Sequence, residues 1–179
     1  MLAQEAAAQL GLDAVLLVPA GEAPHKRIDP EPGRDVRLEM AQRAAAGDAL
    51  LAASAVEVER DGPSFTHETL EVLRAERPDD ELWFLMGADV AAGLERWRNP
   101  ARVVELARLG IAARAGTGLD EAEAALEALG AEDRFEVVRM PEIGVSSTRV
   151  RRRVAQGRPI RYLVPDAVVD VIESRGLYR

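Results

Sequence analysis

Six arginines, Arg149, Arg151, Arg152, Arg153, Arg158 and Arg161, crowd together in a chain whose net charge is −8. Guanidinium groups pair with phosphate in bidentate geometry, and a cluster that opposes the global charge needs a cause. Just ahead of them stand Val145-Ser146-Ser147-Thr148, at the start of a segment of helical period. A helix N-terminus offers free N–H groups and the positive end of the dipole, so hydroxyls and arginines there describe a phosphate site. A capped helix with a solvated basic face would use the same residues. The loop Pro24-His25-Lys26-Arg27 places three titratable or cationic side chains in a row, either a second anion contact or a solvated surface loop. In Gly87-Ala88-Asp89, the glycine lets a ligand approach the backbone and the carboxylate can accept from a ribose or an exocyclic amine. An Asp that caps the next helix fits equally well. Thr66, in Gly62-Pro63-Ser64-Phe65-Thr66, is either a helix cap or a ligand contact. Aromatic residues are only 4% of the chain. Trp97, between Arg96 and Arg98, is therefore either a stacking platform for a flat ring or a partly buried core residue. Together these groups outline a nucleotide or dinucleotide pocket.

These residues have to be held by elements, and the periodicity says which. Short apolar runs at Ala14–Val18, Ala55–Glu59, Leu82–Met86, Leu109–Ala113 and Phe135–Arg139 read as strands. Stretches of helical period fall at Leu2–Leu10, Arg34–Ala46, His67–Arg77, Pro100–Arg108, Asp120–Leu129, Thr148–Gln156 and Asp166–Ser174. Strands alternating with helices, and apolar almost throughout, predict an α/β domain with a parallel sheet covered on both faces. In such a sheet ligands sit beyond the carboxyl ends of the strands, which is where each candidate residue falls.

Composition removes several classes. The chain has 179 residues, one domain's worth, with 47% apolar and 30% charged residues, so it is expected to fold. Its acidity makes it a poor general binder of nucleic acid. It has no Cys, which excludes disulfides, thiol nucleophiles and Fe–S clusters. Two His exclude a histidine-rich metal site, and the lone Lys26 excludes a Walker A loop. No apolar run approaches membrane-spanning length and the start does not read as a signal peptide, so a cytoplasmic protein is expected. Oligomeric state, a homo-oligomer included, is left open.

Taken in order along the chain, Gly11-Leu12-Asp13, Ala23-Pro24-His25-Lys26, Gly62-Pro63-Ser64-Phe65-Thr66, Gly87-Ala88-Asp89 with Trp97, Val145-Ser146-Ser147-Thr148-x-Val150-Arg151, Ile160-Arg161-Tyr162-Leu163-Val164-Pro165 and Gly176-Leu177-Tyr178-Arg179 resemble the bacterial nicotinate mononucleotide adenylyltransferases. The resemblance covers essentially the whole chain. It implies a single Rossmann-like, doubly wound domain over residues 1–179, with residues 147–179 carrying the phosphate motif. It also implies adenylyl transfer from ATP, with Mg²⁺, to nicotinate mononucleotide, giving nicotinate adenine dinucleotide and pyrophosphate. Carried over residue by residue, Gly87 and Asp89 would hold adenosine, and Ser147, Thr148 and Arg151 the ATP phosphates. Thr66 and Trp97 would hold the nicotinate ring, while His25, Lys26 and Arg114 would line the phosphate path. Arg114 stands in Arg114-Ala115-Gly116, where the family has Arg-Pro-Gly. No metal ligands of the protein's own are identified.

The resemblance departs at the front. The family's first strand, its Gly-Gly-Thr-Phe-x-Pro loop and its His-x-Gly-His motif have no counterpart in these residues, and neither His25 nor His67 stands where it could replace them. No catalytic residue is therefore assigned. Leu2–Leu10 reads as a helix with no capping residue before it, as if about 15–20 residues of strand and loop preceded it. A central strand would bury some five apolar side chains, about 7–15 kcal/mol at about 1.5–3 each. That rivals a whole domain's stability of about 5–15 kcal/mol. The expectation is a start assigned too late, or else a true truncation. A domain that simply begins with a helix is the plain reading. Two other functions fit the same residues: a sister adenylyltransferase for another phosphorylated small molecule such as phosphopantetheine, and a non-catalytic nucleotide-binding remnant. Pantetheine offers nothing flat for Trp97 to stack on.

Overall fold

The computed structural model describes residues 1–22, 31–113 and 118–179. In chain order its elements are α1 (Leu2–Leu10), β1 (Val15–Leu17), α2 (Arg34–Ala45), β2 (Leu51–Ala53), α3 (Thr66–Glu76), β3 (Trp83–Gly87), α4 (Ala88–Ala91), a 3₁₀ turn (Leu94–Arg96), α5 (Pro100–Leu106), β4 (Arg108–Ala113), α6 (Leu119–Ala128), β5 (Phe135–Arg139), α7 (Ser147–Ala155) and α8 (Asp166–Ser174). They cluster into two compact units, one of Met1–Val15 with Phe65–Glu142 and one of Leu16–Ser64 with Ile143–Arg179.

The first unit is built on a three-stranded parallel sheet in the order β3-β4-β5. β4 is central and carries Leu109 and Ile111, both fully buried. With Leu94, Val103 and Leu126 they form a core in which each side chain contributes about 1.5–3 kcal/mol. The glycine at the middle of β4 answers a packing demand. A Cβ at Gly110 would stand 2.5 Å from Leu85 Cδ2 and 3.2 Å from Leu10 Cδ1, so a side chain there has no room. The alanine-rich α1 buries Ala6 and Ala7 and ends at Gly11, whose φ of 68° is the left-handed conformation that glycine adopts freely. The Gln9 side chain donates to Arg139 O at 3.0 Å and accepts from Arg139 N at 2.9 Å. It thereby takes up backbone groups at the end of the edge strand β5. Because the three strands are parallel, Gly87, Ala113 and Arg139 all lie at their carboxyl ends.

The second unit pairs β1 with β2, and Ser54 N donates to Leu17 O at 3.0 Å. Here the sequence reading is corrected. Ala55–Glu59 is not a strand; the strand lies upstream at Leu51–Ala53. Glu59 N reaches back to Ala55 O at 2.9 Å and Val56 N to the Ser54 hydroxyl at 3.4 Å, so the segment is a turn. Val58 is buried, and its alternation with Val56 imitated a strand. The turn lies against Gly21, where a Cβ would stand 2.1 Å from Glu57 O. A separate apolar cluster of Val150, Ile160, Val168 and Ile172 joins α7 to α8, with Met40 and Ala44 of α2 packed against it. The remaining elements fall within one or two residues of their expected bounds. Helix α4 and the 3₁₀ turn were not foreseen.

Candidate functional site

At the carboxyl end of β3 the chain turns directly into α4, with Gly87 as the N-cap. No side chain caps this helix, so Asp89 is not a cap and its exposed carboxylate is left for another role. Its Oδ1 lies 2.5 Å from where a Cβ of Gly87 would be, which ties the two residues together: only glycine leaves the carboxylate where it is.

Thr66 opens α3 and Phe65 is its N-cap. The capping role open to Ser64 and Thr66 is not taken up, because Ser64 Oγ accepts from Gly21 N at 3.0 Å instead and α3 has no side-chain cap. Trp97 follows the 3₁₀ turn and is half-buried, in an edge-to-face contact with Phe84 of β3 at 5.9 Å between centroids. The partly buried core reading therefore holds, because Trp97 packs against the core of the first unit. The next residue, Arg98, lays its guanidinium over the Phe65 ring, Cζ to centroid 4.8 Å. The Trp97–Arg98 segment therefore packs on β3 at Phe84 and on the start of α3 at Phe65, within the first unit. His67, one residue into α3, is buried with its Nδ1 lacking a partner among the described residues, and its ring lies 6.2 Å from Phe65.

In the second unit, Ser146 is the N-cap of α7 and accepts from Arg149 N at 3.2 Å. That leaves Ser147 and Thr148 exposed in the first turn and not used as the cap. Arg151, one turn on, donates from Nη2 to Thr148 Oγ1 at 3.3 Å, so hydroxyl and guanidinium stand together. The six-arginine cluster is less uniform than its sequence. Arg161 is paired with Asp166 at 3.3 and 3.4 Å, and that carboxylate raises its pKa further. Arg149 and Arg153 donate to the carbonyls of Gly144 and Pro159. Arg151, Arg152 and Arg158 have no acidic partner among the described residues. Tyr178 lies near Arg151 and Arg37, and burial pushes its phenol above the usual value against the pull of these two cations.

His25, Lys26 and Arg114 lie outside the described residues. Of the expected site residues, the structure gathers Gly87, Asp89, Thr66 and Trp97 in the first unit, and Ser147, Thr148 and Arg151 in the second. Sequence reasoning missed Arg98, Phe84 and Tyr178. Arg98 stands next to Trp97, but the contact that gives it a place is with a residue 33 positions earlier in the chain (98 − 65 = 33). Among the described residues no group of three or more His, Asp or Glu could by itself hold a metal. No helix among them is long and apolar enough to cross a membrane.

A family model of cytidylyltransferase-like proteins matches residues 1–153. The Roseiflexus sp. (strain RS-1) protein named "Probable nicotinate-nucleotide adenylyltransferase" is 42% identical over 178 residues, which cover 99% of this chain and 89% of that protein. A protein of the same name from Thermus thermophilus is 40% identical over 179 residues, covering 100% of this chain and 90% of that one. The solved structure of Plasmodium falciparum nicotinic acid mononucleotide adenylyltransferase complexed with NaAD superposes with a TM-score of 0.69 at 14% identity. That match covers 93% of this chain and 83% of the other, and at this identity it shows the shared fold alone. The chain therefore belongs to the cytidylyltransferase-like family and, within it, to the nicotinate-nucleotide adenylyltransferases.

Proposed function

We propose that this chain transfers the adenylyl group of ATP to nicotinate mononucleotide, forming nicotinate adenine dinucleotide and pyrophosphate in NAD biosynthesis. The observation that carries the reading is the corner of the first unit. There a half-buried Trp97 is braced on Phe84 of β3, its neighbour Arg98 lies over Phe65 next to Thr66, and β3 runs on into a Gly87–Asp89 turn in which Asp89 caps nothing. A flat aromatic platform, a hydroxyl and a carboxylate acceptor suit a pyridine ring and an adenosine.

In the reaction an oxygen of the mononucleotide's phosphate attacks the α-phosphorus of ATP. The bond from that phosphorus to the bridging oxygen breaks, and pyrophosphate leaves with the electron pair. No protein nucleophile takes part. What the protein supplies is orientation of the two phosphates and opposition to the charge that builds on them. Trp97 and Thr66 hold the ring, and Gly87 and Asp89 hold the adenosine. Ser147, Thr148 and Arg151 hold the triphosphate, with the first-turn N–H groups of α7 adding to their pull. His25, Lys26 and Arg114 are proposed along the phosphate path on the motif alone. A divalent cation, Mg²⁺, enters as part of the ATP substrate. It would be held chiefly through phosphate oxygens and water.

The test is initial-rate pyrophosphate release by the protein isolated from its native cell, with ATP and each of nicotinate mononucleotide, nicotinamide mononucleotide and phosphopantetheine. Highest kcat/KM with a pyridine mononucleotide supports the proposal. Preference for phosphopantetheine, or no release with any acceptor, refutes it.

A further inference from the structure

We infer that Arg37 is a positioning residue for the transfer: its guanidinium ties together the two ends of the stretch that carries His25 and Lys26, and so presents these side chains to the mononucleotide's phosphate. The inference rests on the reading above, in which His25 and Lys26 line the phosphate path. Arg37 stands in the first turn of α2, in the second unit. Its Nη2 donates to Ala20 O at 2.6 Å and to Gly21 O at 2.8 Å, at the entry to the stretch. Its Nη1 pairs with the Glu31 carboxylate, at the exit. Glu31 Oε1 also accepts from Gly33 N at 3.3 Å, which fixes that carboxylate to the N-cap of α2. One planar fork of donors therefore joins both ends.

The entry is built as a fixed base. Gly21 N donates to Ser64 Oγ at 3.0 Å, and Ser64 N donates to Glu22 O at 2.8 Å. Gly21 also has no room for a side chain against Glu57 O. The Arg37 side chain is only 19% exposed, so its charge has given up most of its water for these partners. Both its Nη atoms are taken by Ala20, Gly21 and Glu31. Arg37 therefore acts through the residues it anchors rather than by touching a substrate. Anchoring both ends of a loop removes conformations from it, and a ligand then meets the side chains between the anchors at a smaller entropic cost. The residues between the anchors in the sequence include His25, Lys26 and Arg27.

The experiment compares native protein with Arg37→Gln, Arg37→Lys and Glu31→Gln. Two readouts are taken: kcat and KM for each substrate, and the rate at which trypsin cuts the folded protein after Lys26 and Arg27, followed by fragment mass. Arg37→Gln is expected to raise KM for nicotinate mononucleotide about tenfold and to change KM for ATP less than about twofold. It should also speed the two cuts about tenfold relative to cuts elsewhere. Arg37→Lys keeps the charge and loses the fork, so smaller changes in the same direction are expected. Glu31 is exposed, so Glu31→Gln tests the same tie where Arg37→Gln fails to fold. It should shift both readouts in the same direction and add nothing to Arg37→Gln. If both variants leave KM and the two cuts unchanged, the inference falls. It falls equally if Arg37→Gln weakens both substrates alike and speeds cutting at every site, because Arg37 is then a structural residue. If native protein forms no dinucleotide from nicotinate mononucleotide, the proposed function itself falls and this inference with it.

Discussion

Replacing Gly87 by alanine isolates what Asp89 does. Gly87 has φ −74° and ψ 153°, extended backbone open to any residue. The methyl group therefore costs the backbone nothing, and by restricting the unfolded chain it would stabilise by about 0.4–1 kcal/mol. Its position is 2.5 Å from Asp89 Oδ1, whereas ordinary contact begins at 3.4 Å, so the carboxylate must retreat by 3.4 − 2.5 = 0.9 Å. A hydrogen bond of about 2.9 Å does not survive such a shift of its acceptor. Asp89 is exposed, so its side chain can swing into water with little loss of stability. If it holds the adenosine, the lost charge-assisted bond is worth about 1.5 kcal/mol at an exposed site, or about tenfold in KM for ATP. Asp89→Ala should lose about the same amount. Because Gly87→Ala acts through Asp89, the double variant should lose no more than either single one. The assay is pyrophosphate release against ATP concentration at saturating nicotinate mononucleotide for all four proteins, with melting temperatures alongside. Losses that multiply to about a hundredfold in the double variant, or a Gly87→Ala protein that binds ATP normally, would refute the coupling.

Arg151→Gln should raise KM for ATP about tenfold, flatten the salt dependence of kcat/KM and leave KM for the mononucleotide unchanged; equal loss for both substrates would contradict its place at the triphosphate. Gly110→Ala should lower stability by about 1–3 kcal/mol, because the methyl meets Leu85 and Leu10 inside the first unit; denaturant melts check this, and an unchanged midpoint would mean the strand has slack. Tyr178 is held above the usual phenol value by burial, so the folded state favours its neutral form. The stability this contributes is fully present below the unfolded value of about 10 and is lost as pH rises through the folded value. Thermal melts should therefore fall on the alkaline side of about pH 10, and Tyr178→Phe should flatten that fall. An identical fall in the variant would assign it to other groups.

Much of this protein is legible in its sequence because local pattern and tertiary environment agree. Alanine-rich α1 and the apolar β5 have the bounds their periodicity predicts, and Ser146 caps α7 as a Ser-Ser-Thr run at a helix start suggests. The errors have equally local causes. Val56 and Val58 alternate like a strand, but the buried valine sits in a turn closed by the Ser54 hydroxyl and the Ala55 carbonyl. Helix α4 is four residues long and has no room for a period to show. At the site, residue type and spacing point to Asp89, Thr66 and Trp97, while structure alone decides that neither Asp89 nor Thr66 is used as a cap. Contacts between distant segments leave no trace in a single sequence: Arg98 over Phe65 and Tyr178 beside Arg151.

The central claim is that this protein joins the two nucleotides through a phosphate oxygen of nicotinate mononucleotide, which displaces pyrophosphate at the α-phosphorus of ATP. It is tested most directly with mononucleotide whose phosphate oxygens carry a heavy isotope, incubated with ATP, Mg²⁺ and the protein from its native cell, and followed by mass spectrometry. The expected result is one nicotinate adenine dinucleotide per pyrophosphate, with all the label in the dinucleotide and none in the pyrophosphate. Failure to form the dinucleotide, or label in the pyrophosphate, would contradict the claim.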